Sequence, residues 1–157
     1  MRTLPLIFGV AALALMAGHS PANAQAKKCS LETLNGQYLD SATGRIFPPA
    51  FGVTKESVSA IAGYSVYNGD GTGTDYVTFT VNGNVVPVLP SQATTYTLNP
   101  DCTGTKTVTG GPTFNIYVAL DGSGLTEVAT SAPPAASPGF AVSAMSIRVV
   151  SFSENQQ

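Results

Sequence analysis

The sequence has no tryptophan and a single histidine, His19, which falls inside an N-terminal leader. A processed chain without histidine has no Ser-His-acid triad, no Cys-His pair and no histidine-based zinc, copper or iron site. Acid-base chemistry is then left to carboxylates, tyrosine, lysine or water. Charge is scarce as well: charged residues make up 10% of the chain, and the only adjacent basic pair is Lys27-Lys28. Neutralising a phosphate backbone takes clustered Lys and Arg, so no nucleic-acid partner is expected. A long apolar run is also missing. Leu4 to Met16 is mostly apolar but contains Pro5 and Gly9, and it falls short of the roughly 20 residues that span a bilayer. With Arg2 before it and the small-x-small triplet Ala22-Asn23-Ala24 after it, the run reads as a signal peptide over residues 1–24. The expectation is an exported chain, periplasmic or secreted, with no membrane span once the leader is removed.

What remains, residues 25–157, is expected to be one domain, with 43% apolar residues in the sequence to build its core. Cys29 and Cys102 are an even count in an oxidising compartment and point to one disulfide. Beyond Gly36 the chain is a succession of period-two runs punctuated by Gly, Pro, Asn and Asp. Residues 37–41 read as a first strand ended by Thr43-Gly44. Residues 58–68 read as a second, with Gly63 marking a bend or bulge. Val77, Phe79 and Val81 share one face of the next, Asn82-Gly83-Asn84 is a hairpin turn, and Pro87 confines the return over 85–88 to an edge or bulge. Thr94, Tyr96 and Leu98 alternate up to a turn at 99–104, and 105–109 goes back. Phe114, Ile116, Val118 and Leu120 make the strongest alternation. A short strand over 125–130, an irregular Pro/Ala loop over 132–139 and a long last strand over 140–152 complete the pattern. Only Ser30–Leu34 suggests a helical turn, placed to plug or flank the domain. The pattern predicts an all-β fold, a single antiparallel β-barrel of about eight strands with a β-sandwich as the alternative. Closure favours the barrel because it removes exposed edges.

Asp70, Asp75, Asp101 and Asp121 sit beside turn residues and read as turn caps. Asp40 and Glu127 fall within strands, where an outward, solvated position is the expectation; either would suit an acid catalyst only inside the barrel. The run Asn68–Asp75 places oxygen side chains at alternate positions but lacks the closing bidentate Glu of a calcium loop, so it reads as a Gly-rich hairpin. Arg148 shares a face with Val142, Ala144 and Ser146, and inside a barrel it would fix a carboxylate or carbonyl of a ligand. Tyr38, Tyr64, Tyr96 and Tyr117 offer a ring and a hydroxyl each, which suits a pocket wall. The candidate ligand-binding set is therefore Tyr38, Tyr64, Tyr96, Tyr117 and Arg148. No catalytic residue, metal ligand or cofactor is assigned.

Cys29, Leu34-Asn35-Gly36-Gln37-Tyr38, the turn Asn68 to Gly73 and the Tyr-x-x-Asn-x-Asp-Cys-x-Gly of Tyr96 to Gly104 together carry a resemblance. In these features the chain resembles an uncharacterised family of small exported bacterial β-barrel proteins. The resemblance implies a Cys29–Cys102 disulfide and a barrel of lipocalin-like or allene-oxide-cyclase-like architecture. It implies no catalytic residue, and the Gly-x-Trp of a lipocalin is here Gly36-Gln37-Tyr38. The leading functional expectation is a binding module that holds one small hydrophobic or aromatic molecule in its lumen. The alternatives are a cofactor-free isomerase or cyclase using the same cavity, and a structural or interaction protein of the cell envelope.

Overall fold

Side chains that alternate between small or apolar and polar give nine antiparallel strands in the computed structural model, which describes residues 27–87, 90–131 and 139–149. They are β1 (Gly36–Ile46), β2 (Ser57–Tyr67), β3 (Thr72–Val81), β4 (Asn84–Val85), β5 (Gln92–Leu98), β6 (Thr103–Val108), β7 (Thr113–Val118), β8 (Gly124–Ser131) and β9 (Phe140–Arg148). Hydrogen bonding runs in the order β2-β1-β9-β8-β7-β6-β5-β3, and β2 also pairs with β3. Eight strands thus close into a barrel, and β4 lies on β3 outside the ring. Closure satisfies the backbone donors and acceptors that an open sheet would leave at its edges.

The first strand is longer than the sequence suggested. It continues through Thr43-Gly44 to Ile46, in unbroken register with β2 and β9. Gly44 does not end it because glycine is what the packing there requires: a Cβ would sit 2.2 Å from the Ala141 carbonyl oxygen. At Gly63 the register is also continuous on both sides, so there is no bulge. A Cβ at that position would lie 2.0 Å from the Tyr76 carbonyl oxygen, so the missing side chain lets β3 pass close to β2.

One end of the barrel is plugged. Residues Leu31–Leu34 form a single 3-10 turn, steadied by the Ser30 amide donating to Thr33 Oγ1 at 3.0 Å, and Leu34 is fully buried beneath it. Leu34 packs with Tyr38, Tyr67, Tyr96, Ile116, Val118 and Leu125 in the larger of two core clusters. Each fully buried aliphatic side chain of this kind contributes roughly 1.5–3 kcal/mol. The Cys29–Cys102 disulfide fastens the plug to the β5–β6 turn, and with a sequence separation of 73 it restricts the unfolded chain by about 4 kcal/mol.

Three hairpin turns at this end share one design. Asp70, Asp101 and Asp121 each accept a hydrogen bond from the backbone amide two residues on, at Thr72, Thr103 and Ser123. Hydrogen bonds from those partners' side chains and amides hold all three carboxyls below the usual aspartate range. The intervening residue has positive φ each time: Gly71, Cys102 and Gly122.

The other end has a smaller apolar cluster of Ile46, Ala50, Phe79 and Val81. The leader over 1–24, most of the Pro/Ala loop, the end of the return expected over 85–88 and the chain beyond 149 lie outside the described residues. No helix among the described residues is long and apolar enough to cross a membrane.

Candidate functional site: a cavity with a charged floor

Between the plug and the opposite end the lumen contains a cavity of about 190 Å³. Its walls are apolar, from Ala42, Ile61, Val77, Phe79, Val108, Phe114 and Val142. Phe51, Phe140, Gln92 and the β6–β7 turn at Gly110–Pro112 surround it at the end away from the plug. The alternation of each strand places these residues: Val77, Phe79 and Val81 are in phase on β3, as Lys106 and Val108 are on β6.

The floor is charged. Asp40, Asp75, Lys106, Glu127 and Ser146 all line the cavity. Lys106 is 4% exposed, and its Nζ lies 3.0 Å from Asp75 Oδ2 and 3.2 Å from Glu127 Oε1. The Tyr67 hydroxyl donates to the same Glu127 Oε1 at 3.2 Å. Ser65 Oγ donates to Asp75 Oδ1 at 2.8 Å and also bonds Asp40 Oδ2, so one hydroxyl hydrogen serves two carboxylates. Asp40 Oδ1 is sealed from solvent and has no hydrogen-bond partner. Among the described residues, no group of three or more His, Cys, Asp and Glu side chains is placed to hold a metal ion.

Burial of this cluster moves its proton equilibria. Desolvation raises the Glu127 pKa, Lys106 opposes the rise, and the nearby Asp75 and Asp40 add to it. Desolvation alone would lower the Lys106 pKa, but the carboxylates of Glu127, Asp75 and Asp40 outweigh it and hold the ammonium well above its ordinary value. Tyr67 is pushed well up by burial. The cluster therefore keeps Lys106 charged and Tyr67 neutral, and makes Glu127 the carboxyl that takes up a proton more readily than usual.

The five residues singled out from the sequence lie elsewhere. Arg148 does point inward, yet it serves the plug: its Nη2 donates to the Thr33 carbonyl at 2.8 Å, and its Nε and Nη2 donate to Tyr38 Oη at 3.1 and 2.9 Å. Tyr38 in turn donates to the Gly122 carbonyl at 2.8 Å. Tyr96 donates to the Leu31 carbonyl at 3.0 Å. Tyr64 is on the outer wall, stacked on Tyr76 with ring centroids 4.7 Å apart. Tyr117 is also on the outer wall and 52% exposed. None of the five lines the cavity. Asp40 and Glu127, expected on the solvent side, face the lumen instead, because their partners Ser65, Lys106 and Tyr67 are inside.

Lys106, Ser65 and Tyr67 escaped the sequence reading, and Asp75, read there as a turn cap, lies within β3 and faces Lys106 instead. A signal existed for two of them. Asp75 is in phase with Val77 and Phe79, and Lys106 is in phase with Val108 while Thr105 and Thr107 take the other face. Comparison of the chain with models of known protein families, with curated proteins and with solved structures finds no match.

Proposed function

We propose that the protein is an exported binding module that holds one small, mostly apolar molecule in the barrel lumen. The observation that carries this reading is the cavity, with its apolar walls and its polar floor. Pockets of this composition are where small ligands bind, with a few polar groups fixing their orientation. Its size narrows the occupant. A cavity of roughly 150 Å³ accommodates benzene, so about 190 Å³ suits a single ring with a short side chain. Drug-sized ligands need roughly 300 Å³ or more, which sets lipids aside. The disulfide is compatible with export, and the resemblance to small exported barrels supports the same compartment. Titrating the intact chain with propylbenzene and with indole tests the reading. We expect saturable binding that raises the melting temperature, and its loss in Ala144→Phe, where a ring fills the lumen. No saturable shift for either probe with the wild-type protein overturns it.

A second reading rests on a separate observation, the buried Glu127 carboxyl that faces both Tyr67 and the cavity. A carboxyl with a raised pKa in an apolar site is suited to proton transfer, as a cofactor-free isomerase or cyclase would use it. The side-chain carboxyl carbon of Glu127, followed by NMR against pH, should titrate above the usual carboxylate range. An ordinary titration removes this reading and leaves the first intact.

A further inference from the structure

The floor of the cavity is rich in acceptors and poor in donors. Three carboxylates, Asp40, Asp75 and Glu127, face a single ammonium, that of Lys106. The hydrogen bonds that Glu127 accepts from Tyr67 and Lys106 both fall on Oε1, and the residue lines the cavity. Asp40 has one oxygen bonded to Ser65 and the other unpartnered. A half-turn of its carboxylate exchanges the two oxygens without supplying a donor. A desolvated floor with three carboxylates and one cation is short of positive charge, and a group that brings both hydrogens and positive charge complements it.

We infer that the lumen selects a small aromatic or branched-alkyl molecule bearing a protonated primary amine, its ammonium on the floor at Asp40 and Glu127 and its apolar body against Phe79, Phe114 and Phe140. This rests on the reading of the lumen as a ligand site and adds the chemistry of the headgroup. An ammonium brings three hydrogens and a positive charge to a floor where three carboxylates meet one cation, and Ser146 also lines that floor. A carboxylate headgroup would face three like charges in a desolvated site. A neutral apolar ligand would fill the walls and leave the floor as it is.

The test compares three probes of nearly the same shape on the intact, disulfide-bonded chain: phenethylamine, propylbenzene and 3-phenylpropanoate, titrated at neutral pH by calorimetry. Charge-assisted hydrogen bonds support an affinity for phenethylamine about tenfold or more above that for propylbenzene, and 3-phenylpropanoate should bind weakest. Asp40→Asn and Glu127→Gln should each shrink the amine-to-hydrocarbon ratio. If propylbenzene binds as tightly as the amine, or if the carboxylate binds best, the headgroup assignment is overturned and the lumen site stands. If none of the three binds, both fall. The comparison on the wild-type chain decides the question even where a variant fails to fold.

Discussion

Glu127 and Lys106 show how a few buried charges set the behaviour of this barrel. The folded-state pKa of Glu127 lies above its ordinary value of 4.5 because burial disfavours its charge. The folded form therefore holds the proton more tightly than the unfolded chain does. Below that ordinary value both states are protonated and Glu127 costs nothing; as pH rises from there through the raised value, folding loses stability. Glu127→Gln removes the titrating group, so its urea midpoint should vary less with pH over that window than the wild-type midpoint. Equal slopes for the two proteins would contradict the assignment. Lys106 acts in the opposite range: its stabilisation is present below 10.5 and fades only as pH climbs through its still higher folded value.

Cys102 makes a second residue-scale case. It occupies the positive-φ slot that Gly71 and Gly122 fill in the two sibling turns, at φ 68°. A left-handed conformation costs a residue with a Cβ roughly 1–2 kcal/mol, and glycine avoids that cost. Removing the disulfide as Cys29→Ala with Cys102→Ala should lower stability by about 4 kcal/mol. The pair Cys29→Ala with Cys102→Gly should recover about 1 kcal/mol of that loss. Denaturant unfolding of the two double variants checks the difference, and a glycine variant no more stable than the alanine one would refute the strain argument.

Among the elements, the plug is the one whose role the structure changes most. Arg148 joins the end of β9 to the 3-10 turn and to Tyr38, and Tyr38 joins β1 to the β7–β8 turn. Arg148→Met breaks three hydrogen bonds, two of them onto a fully buried tyrosine, and should destabilise the protein by about 1–3 kcal/mol. Because Arg148 does not line the cavity, propylbenzene affinity should be unchanged in the folded protein. A stable variant that has lost binding would return Arg148 to the ligand site.

The strands themselves were legible because turn chemistry and alternation agree along most of the chain. Phe114, Ile116 and Val118 face the core on β7 as their alternation indicates, while Leu120 lies past the strand end and is exposed. Which face of a strand is inside was harder to read. The outer wall carries Thr95, Thr97, Thr105 and Thr107, whose branched side chains suit a sheet as well as valine does. The inner wall carries Ser65, Asp75, Lys106 and Glu127. A polar residue on such a strand gives no sign of its side until the ring closes and Lys106 is seen to meet Asp75 and Glu127 from three different strands. Strand-interior glycines were similarly ambiguous: Gly44 and Gly63 read as interruptions, whereas each marks a close approach between neighbouring strands.

At the scale of the whole molecule, the stabilising devices and the cavity occupy different parts of the barrel. The disulfide, the three aspartate-capped turns and the tyrosine cluster gather at one end, and the cavity lies toward the other. An eight-stranded ring is just wide enough either to be filled by side chains or to hold one small ligand; here side chains fill the plugged half and leave about 190 Å³ above the charged floor. The central claim is that this space receives a small molecule. Intermolecular NOEs on uniformly carbon-13-labelled protein with unlabelled propylbenzene test it most directly. Contacts from the ligand to Val77, Val108 and Val142, with none to the outer-wall residues Leu39, Val58 and Met145, are the predicted result; contacts confined to the outer wall would contradict the account.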